Sequence, residues 1–334
     1  MMHPGGKTTQ PNTFRLAQKL NILIAETLNF SPEAVKGLEQ LGNVTLRDIE
    51  KENLTDALAA YDVFWFRLKF KIEEKDFPPQ FRCRYILCPV TGLDHIDLAA
   101  CEKRGIKVLA LRGETEFLKT VRATAEHTIG LTLSLLRHVS HAVSSVKEGV
   151  WDRDLFKGHE IFGKKVGILG VGRLGTITAG FFKAFGAEVY GYDVKDFDTS
   201  ICNKVDSIDE LFAISDIVSV HVAYNDSTHH LVNASLLQKM KPTAVLINTA
   251  RGGVINSVDL VAALSGKTIA GAALDVIEDE YNTADNTLVA YAKQNSNLII
   301  TPHIGGNTYE SFAKTELFLL EKLKKALQLE SQQV

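Results

Sequence analysis

Short apolar runs alternate with helical patterns along most of the chain. In the first third, apolar runs predict strands at 21–25, 44–46, 63–66, 85–88 and 107–109. Helices are predicted at 31–41, which opens with Ser31 and Pro32, and at 96–104, which stops before Gly105. Later strands are predicted at 166–169, 188–192, 217–221, 244–248, 269–272 and 298–300, and long helices at 123–147 and 308–327. This alternation is typical of an α/β fold with parallel sheets.

The glycine pattern after strand 166–169 is typical of a dinucleotide site. The segment Gly170-Val171-Gly172-Arg173-Leu174-Gly175 opens a helical pattern over 173–185, and the next strand ends at Asp193, 18 residues after Gly175. These glycines allow a tight turn, a close approach to a pyrophosphate and close helix–strand packing. A pyrophosphate is favoured at a helix N-terminus. The Asp193 carboxylate is placed for the ribose hydroxyls and favours NAD over NADP, and Lys195 is interpreted as a loop charge.

The position of this pattern in the middle of the chain predicts the domain organisation. We expect two α/β domains with parallel sheets, of which 126–307 binds NAD. This cofactor domain is inserted between 14–125 and 308–334, which form the other domain. Residues 1–13 are polar and lack the apolar centre of a signal peptide, so they are expected to be a disordered leader.

Composition narrows the classes of function. The 334 residues carry a net charge of −3 with no long basic run, which argues against nucleic acid as a partner. No stretch of 18 uncharged apolar residues occurs, so no membrane span is expected. The four cysteines, Cys83, Cys88, Cys101 and Cys202, show no metal-binding spacing. We therefore expect no metal, reduced thiols and a cytoplasmic protein.

Three ionisable residues follow predicted strands of the cofactor half: Arg251, Glu280 and His303. Ligands of open α/β sheets bind at the carboxyl ends of the strands, which is where the glycine turn also lies. A histidine can donate a proton to a carbonyl oxygen while a carboxylate favours its charged form, and an arginine can hold a substrate carboxylate. The pattern is suited to hydride transfer at a carbon that bears oxygen.

Each of these residues also has a structural interpretation. Arg251 can be a charge that flanks a helix, Glu280 lies among other acids, and His303 can be a structural histidine. Spacing by itself does not decide between these interpretations and catalysis.

A set of motifs resembles the D-isomer-specific 2-hydroxyacid dehydrogenase family, which includes phosphoglycerate dehydrogenases. The motifs are Ala125-Glu126-His127, Trp151, Gly163-Lys164, the glycine turn with Asp193, Asn248-Thr249-Ala250-Arg251-Gly252, Ala273-Leu274-Asp275-Val276 and Thr301-Pro302-His303-Ile304-Gly305-Gly306. The resemblance implies that His303 is the acid/base, Glu280 its partner and Arg251 the group that binds and polarises the substrate. It also implies two Rossmann-like domains with a cleft between them, of which 14–125 and 308–334 form the flavodoxin-like substrate domain. A homodimer built through the cofactor domains and the helix from Ala123 is implied as well.

The resemblance extends to the ligand-binding residues. Asp275 is similar to the residue that binds the nicotinamide carboxamide, and the backbone N–H groups of Val90, Thr91 and Gly92 would receive the substrate carboxylate. Arg67 and Lys69 would face a substrate phosphate or second acid, or else they flank an exposed strand end. The residues expected to bind NAD are Gly170, Gly172, Arg173, Leu174, Gly175, Asp193, His221, Val222, Thr228, Thr249, Ala250, Arg251, Asp275, His303 and Gly305.

The chain also departs from the family pattern. Tyr281 follows Glu280 where a proline is usual nearby, Ala223 replaces another usual proline, and the loop 111–122 is charged. These departures leave the identity of the substrate undetermined, but they do not change the expectation of hydride transfer.

We therefore expect an NAD-dependent D-2-hydroxyacid dehydrogenase that acts on a 2-keto or 2-hydroxy acid as its small-molecule substrate. Arg67, Lys69 and the loop 111–122 hint at a larger or doubly acidic substrate, such as a sugar acid or a phosphorylated acid. One alternative is an NAD(H)-sensing protein similar to the corepressors that resemble this family. Another is a phosphite or other small-acid dehydrogenase of the same fold. Formate-oxidising relatives replace the glutamate by glutamine, so Glu280 argues against formate.

Overall fold

The structure, a computed structural model, describes residues 19–332, which form two compact units. The first unit contains the described residues up to Leu111 and those from Phe312 onward, and the second is Arg112–Ser311. The expected leader, 1–13, lies outside the described residues. The segment 112–125 groups with the second unit because the Arg173 guanidinium donates to the carbonyls of Leu118 and Val121. The predicted bounds of the cofactor domain, 126–307, concern which residues bind NAD, and they stay a prediction.

The first unit is built on a five-stranded parallel sheet of order β2-β1-β3-β4-β5. This order is that of flavodoxin-like folds. Its strands are β1 (Leu20–Ile24), β2 (Gly42–Leu46), β3 (Val63–Trp65), β4 (Tyr85–Cys88) and β5 (Lys107–Ala110). Its helices are α1 (Pro32–Glu39), α2 (Leu54–Ala60) and α3 (Leu98–Lys103), and the last helix of the chain is α12 (Tyr309–Ser331).

The elements of this unit form for the reasons that the sequence suggested. The Ser31 hydroxyl accepts a hydrogen bond from the Ala34 amide, 3.3 Å away, and Pro32 opens α1. Strands β3 and β4 are buried over their whole length, as expected of strands covered on both faces.

A buried ion pair holds α12 to this unit. The Arg67 guanidinium lies 2.7 Å from the Glu316 carboxylate, which is fully buried and also accepts the Ser31 amide at 2.7 Å. The same guanidinium donates to the Leu28 carbonyl and stacks 4.0 Å from the Phe312 ring centroid. A buried charge that loses its partner strongly destabilises a protein. The Arg67–Glu316 pair therefore determines the position of α12 on this unit.

The second unit is built on a seven-stranded parallel sheet of order β12-β11-β10-β9-β6-β7-β8. Its strands are β6 (Lys165–Leu169), β7 (Glu188–Tyr192), β8 (Asn203–Lys204), β9 (Ile217–Val220), β10 (Val245–Asn248), β11 (Gly271–Leu274) and β12 (Leu298–Ile300). Its helices are α4 (Thr115–Leu118), α5 (Ala123–Leu136), α6 (Val139–Lys147), α7 (Arg173–Ala184), α8 (Ile208–Ile214), α9 (Ala234–Leu237), α10 (Ser257–Ser265) and α11 (Thr287–Ala292).

Both faces of this sheet are covered by apolar cores. Alternate residues of β10 point to opposite sides: Leu246 belongs to one buried cluster, and Val245 and Ile247 belong to the other. The strand order reverses between β6 and β9, and ligands of such sheets bind outside the carboxyl ends at that point. The predicted α/β class with two parallel sheets is confirmed, and the order places the glycine turn at the reversal.

The main error in the predicted elements concerns the helix at 123–147. The structure divides it into α5 and α6 at His138, whose φ of 55° is left-handed and interrupts the helical hydrogen bonds. The short strand β8 and the helices α2 and α8–α11 were not predicted from the apolar pattern. Among the described residues, no helix combines the length and apolarity that crossing a membrane requires.

Candidate active site

The glycine turn joins β6 to α7 at the reversal of strand order. Gly170 has a φ of 94°, and a Cβ there would lie 2.7 Å from the Val222 amide nitrogen, so only glycine fits beside the end of β9. Gly172 caps α7 without a side-chain hydrogen bond, and a Cβ on it would meet nothing within 4 Å. The first-turn amides of Arg173, Leu174 and Gly175 have no acceptor within the helix, and such amides fit a pyrophosphate.

Asp193 lies at the end of β7, as predicted. Its carboxylate accepts hydrogen bonds from the amides of Val171, at 2.8 Å, and Lys195, at 2.9 Å. These bonds hold an acceptor beside the glycine turn, where the fingerprint expects the ribose. The Lys195 amide binds Asp193 while its side chain is exposed, as its interpretation as a loop charge expects.

The end of β9 supplies further residues that were expected at the cofactor. The amide of His221 donates to the Leu169 carbonyl at 2.7 Å, and its Nε2 lies 2.8 Å from the Ser219 hydroxyl. Burial of the ring lowers the pKa of His221 to about 4, so the imidazole is neutral at neutral pH. Thr228 closes the following turn through bonds to Ala223 and Asn225. Its hydroxyl thus has a structural role in the turn.

The end of β10 carries Thr249, Ala250 and Arg251. The Thr249 hydroxyl is buried and lies 2.8 Å from that of Thr128, whereas the Ala250 amide donates to the Asn248 side chain. The Asn248 amide group also donates to the Arg251 carbonyl, at 3.0 Å. Arg251 is half-buried, and its guanidinium donates to the Ala250 carbonyl at 2.8 Å. The turn that carries the arginine is thus fixed by the side chain of Asn248.

His303 and Glu280 form a direct pair. The Nδ1 of His303 lies 3.0 Å from both carboxylate oxygens of Glu280, although the residues are 23 positions apart. Both side chains are about one-quarter exposed. Because a carboxylate only accepts, Nδ1 carries the hydrogen, which leaves Nε2 for a reacting group. Arg251, Glu280 and His303 follow β10, β11 and β12, which are neighbours in the sheet.

Asp275 holds the loop that carries His303. Its carboxylate accepts from Thr301 Oγ1 at 2.6 Å, from His127 Nε2 at 3.1 Å, and from the amides of Ile304 and Gly305 at 2.9 and 2.7 Å. Its carbonyl accepts the His303 amide at 2.8 Å. Burial opposes ionisation, but the hydrogen bonds from His127, Thr301 and the two amides outweigh it and lower the pKa of Asp275.

The predicted site residues did not include His127 and Thr301, which both donate hydrogen bonds to Asp275. His127 lies on α5, 148 positions from Asp275, and its Nε2 also lies 3.0 Å from the Thr301 hydroxyl. Both residues belong to the motifs that carried the family resemblance, which was the available signal. No spacing rule connects them to Asp275.

Five of the predicted substrate residues, Arg67, Lys69, Val90, Thr91 and Gly92, belong to the first unit. The Val90 amide donates to the Cys88 carbonyl at 2.8 Å, so the predicted carboxylate-binding segment rests on Thr91 and Gly92. Arg67 is buried against Glu316, and Lys69 pairs with Glu50 at 2.7 Å. Both cations therefore have carboxylate partners, and these contacts give no support to a role in binding a substrate phosphate.

Comparison with known proteins agrees with this geometry. Residues 129–305 match the family described as D-isomer specific 2-hydroxyacid dehydrogenase, NAD binding domain. The chain is 33% identical over 284 residues to the hydroxypyruvate reductase of Thermotoga maritima, a match that covers 85% of this chain and 90% of that protein. It is 32% identical over 320 residues to the D-3-phosphoglycerate dehydrogenase of Synechocystis sp., covering 94% of this chain and 55% of that protein.

The chain thus spans about half the length of the phosphoglycerate dehydrogenases that it matches. Among solved structures, it is similar to D-lactate dehydrogenase from Aquifex aeolicus complexed with NAD and lactic acid. The TM-score is 0.78 at 27% identity, and the match covers 94% of this chain and 97% of that one.

Replacing Asp275 by Asn is expected to destabilise the protein by about 2–3 kcal/mol, because an amide nitrogen would face donors and leave buried hydrogen bonds unmade. Urea unfolding measures the change. Asp196→Asn, which alters an exposed carboxylate paired with Lys204, is the matched control and should leave the unfolding midpoint in place. Equal effects of the two variants would contradict the role given to Asp275.

His221 is expected to make stability depend on pH. An unfolded histidine binds a proton near pH 6.5, whereas the folded ring does so only near pH 4, so the unfolded state binds more protons between these values. The unfolding free energy should rise with pH from about 4 to about 6.5, by up to about 3 kcal/mol from this residue. His221→Asn should flatten the profile, and the exposed His159→Asn should not. An unchanged profile in His221→Asn would refute this.

Proposed function

The chain belongs to the D-isomer-specific 2-hydroxyacid dehydrogenase family, and from this premise we propose that it is an NAD-dependent oxidoreductase that interconverts a small 2-keto acid and its D-2-hydroxy acid. The observation that carries the proposal is the His303–Glu280 pair, 3.0 Å apart, at the carboxyl edge of the sheet whose glycine turn fits a dinucleotide. A cytoplasmic location is part of the proposal.

NAD would be held by the first-turn amides of α7 and by the Asp193 carboxylate, and when bound it supplies or accepts the hydride. His303 would donate a proton from Nε2 to the substrate carbonyl oxygen during reduction and take it back during oxidation. Glu280 holds Nδ1 and stabilises the charged ring. Arg251 would bind the substrate carboxylate through two parallel hydrogen bonds and polarise the carbonyl.

We propose a small, unphosphorylated substrate. The relative of which the chain covers 90% is named for hydroxypyruvate, and the similar solved structure holds lactic acid. In the first unit, Arg67 and Lys69 are already paired with Glu316 and Glu50, which favours an acid without a phosphate group. Hydroxypyruvate and pyruvate are therefore the first substrates to test.

Replacing Arg251 by Ala should lower the turnover of NADH with the best 2-keto acid about 100-fold or more, because the carboxylate and carbonyl lose their charged partner. NADH binding, followed by its fluorescence, should be retained. The assay uses glyoxylate, pyruvate, hydroxypyruvate and phosphorylated and sugar-derived keto acids. Arg47→Ala, on the surface of the first unit, is the control and should turn over normally.

Unchanged turnover in Arg251→Ala would refute the assignment of the arginine. Tight NADH binding by the wild-type protein without turnover of any acid in the panel would overturn the enzymatic proposal and favour the NAD(H)-sensing alternative.

A homodimer is also part of the proposal, and its support is an apolar stripe on α6. Val139, Val143 and Val146 recur at helical spacing and are 46–50% exposed, and beyond the end of the helix Val150 is 45% and Trp151 is 88% exposed. A contiguous apolar surface of this kind is unfavourable in water and is typical of a protein interface. The second unit, which carries the cofactor residues, would therefore supply the dimer contact.

Val143→Asp is expected to convert the dimer to a monomer, because it would bury an unpaired charge in the contact. Light scattering after size-exclusion chromatography gives the mass. Val258→Asp on α10, a valine that is 68% exposed, is the matched control and should leave the mass unchanged. A wild-type protein that is monomeric at all concentrations would refute the dimer.

A further inference from the structure

A further histidine–carboxylate pair, His230 with Glu278, lies beside the proposed catalytic residues and is not used by the chemistry above. The Nε2 of His230 lies 2.9 and 3.2 Å from the two oxygens of Glu278, and about one-third of each side chain is exposed. Glu278 precedes Glu280 by two residues. The pair therefore contacts the loop that presents the carboxylate partner of His303.

The backbone of His230 contacts the other catalytic turn. Its amide donates to the Gly253 carbonyl at 2.8 Å, two residues after Arg251. Two residues further, Val232 donates to Val254 at 3.0 Å and forms a bridge with Ile255. His230 itself has a left-handed φ of 51°, and this conformation lets one residue bond to both loops. It connects the Arg251 turn through its backbone with the Glu280 loop through its ring.

The loop from 277 to 281 depends on a few such contacts. Asp279 also has a left-handed φ, of 54°, and the Asn286 side chain donates to the Glu278 carbonyl at 2.8 Å. The backbone of Gly252 lies against the peptide between Ile277 and Glu278, with no room for a Cβ. The Glu278 side chain joins this loop to the segment after β9 through its hydrogen bond with His230.

The positions of the polar hydrogens around His230 favour a hydrogen bond to Glu278 over a metal site. His229, His230 and Glu278 have donor atoms within 4.8 Å of one another. However, Asn256 uses its Oδ1 to accept the amides of Val258 and Asp259, so its amide hydrogens face His230 Nδ1, 3.5 Å away. The ring proton then lies on Nε2 and points to Glu278, at the position that a metal would need.

We propose that His230 is a positioning residue of the dehydrogenase site: through Glu278 it holds the Glu280 loop in register with the Arg251 turn. The inference rests on the proposed function. If the loop that carries Glu280 shifts, turnover should fall more than cofactor binding does. The shift would impair the orientation of the His303–Glu280 pair and not the affinity for the cofactor.

The test replaces each member of the pair. His230→Asn keeps a residue that tolerates a left-handed backbone but cannot reach Glu278, and Glu278→Ala removes the acceptor. Each should lower kcat about tenfold while the KM for NADH stays within about twofold. Glu278→Gln keeps an acceptor oxygen and should restore most of kcat. The double variant His230→Asn/Glu278→Ala should be no slower than either single one.

His229→Asn is the matched control, because His229 is exposed and stacks on the His230 ring without a bond to Glu278. It should leave kcat within about twofold of the wild type. The proposal is overturned if His230→Asn and Glu278→Ala both keep wild-type kcat, if their effects add in the double variant, or if His229→Asn is equally slow.

Hydrogen–deuterium exchange separates this inference from the proposed function. If the wild-type protein turns over no keto acid, the function fails, but His230→Asn should still increase exchange in peptides that cover 250–256 and 276–282. His229→Asn should not. Unchanged exchange in both peptides would overturn the positioning role whatever the activity.

Discussion

The candidate site depends on the hydrogen bonds that the Asp275 carboxylate accepts. It is almost fully buried, and it is ionised because His127, Thr301 and two backbone amides donate to it. These donors come from α5, from the end of β12 and from the loop after it. A neutral side chain of the same size could not accept all of these bonds, so the charge is what gathers the segments around His303.

The site is assembled from the ends of neighbouring strands rather than from one contiguous motif. Parallel strands β10, β11 and β12 end at the same edge, and each is followed by one of Arg251, Glu280 and His303. Loops are less constrained than strands, so side chains that bond across loops are needed to fix the candidate catalytic groups. Asn248, Asp275 and, by our proposal, His230 do this for the three loops that carry these groups.

Pairs of charged side chains have different roles in the two units. In the first unit, the buried pair of Arg67 with Glu316 holds α12, and the carboxylate neutralises the guanidinium. In the second, His303 and Glu280 stay partly exposed, which fits the proton exchange that we propose for them. The same types of residue thus serve structure where water is excluded and are suited to chemistry where it is not.

The sequence by itself determined the α/β class, most strand positions, the glycine turn with Asp193 and the pairing of histidine with glutamate that the family resemblance implied. These features are local, because apolar periodicity, glycine at a left-handed turn and a helix cap depend on a few neighbouring residues. Tertiary structure decided the break at His138, the commitment of Arg67 to Glu316, the joining of His127 to Asp275 and the bridge from His230 to two loops. Apart from the break at His138, these are contacts between residues 23 to 249 positions apart. No pattern along the chain specifies which distant donor will face a buried acceptor, since that depends on how whole elements pack.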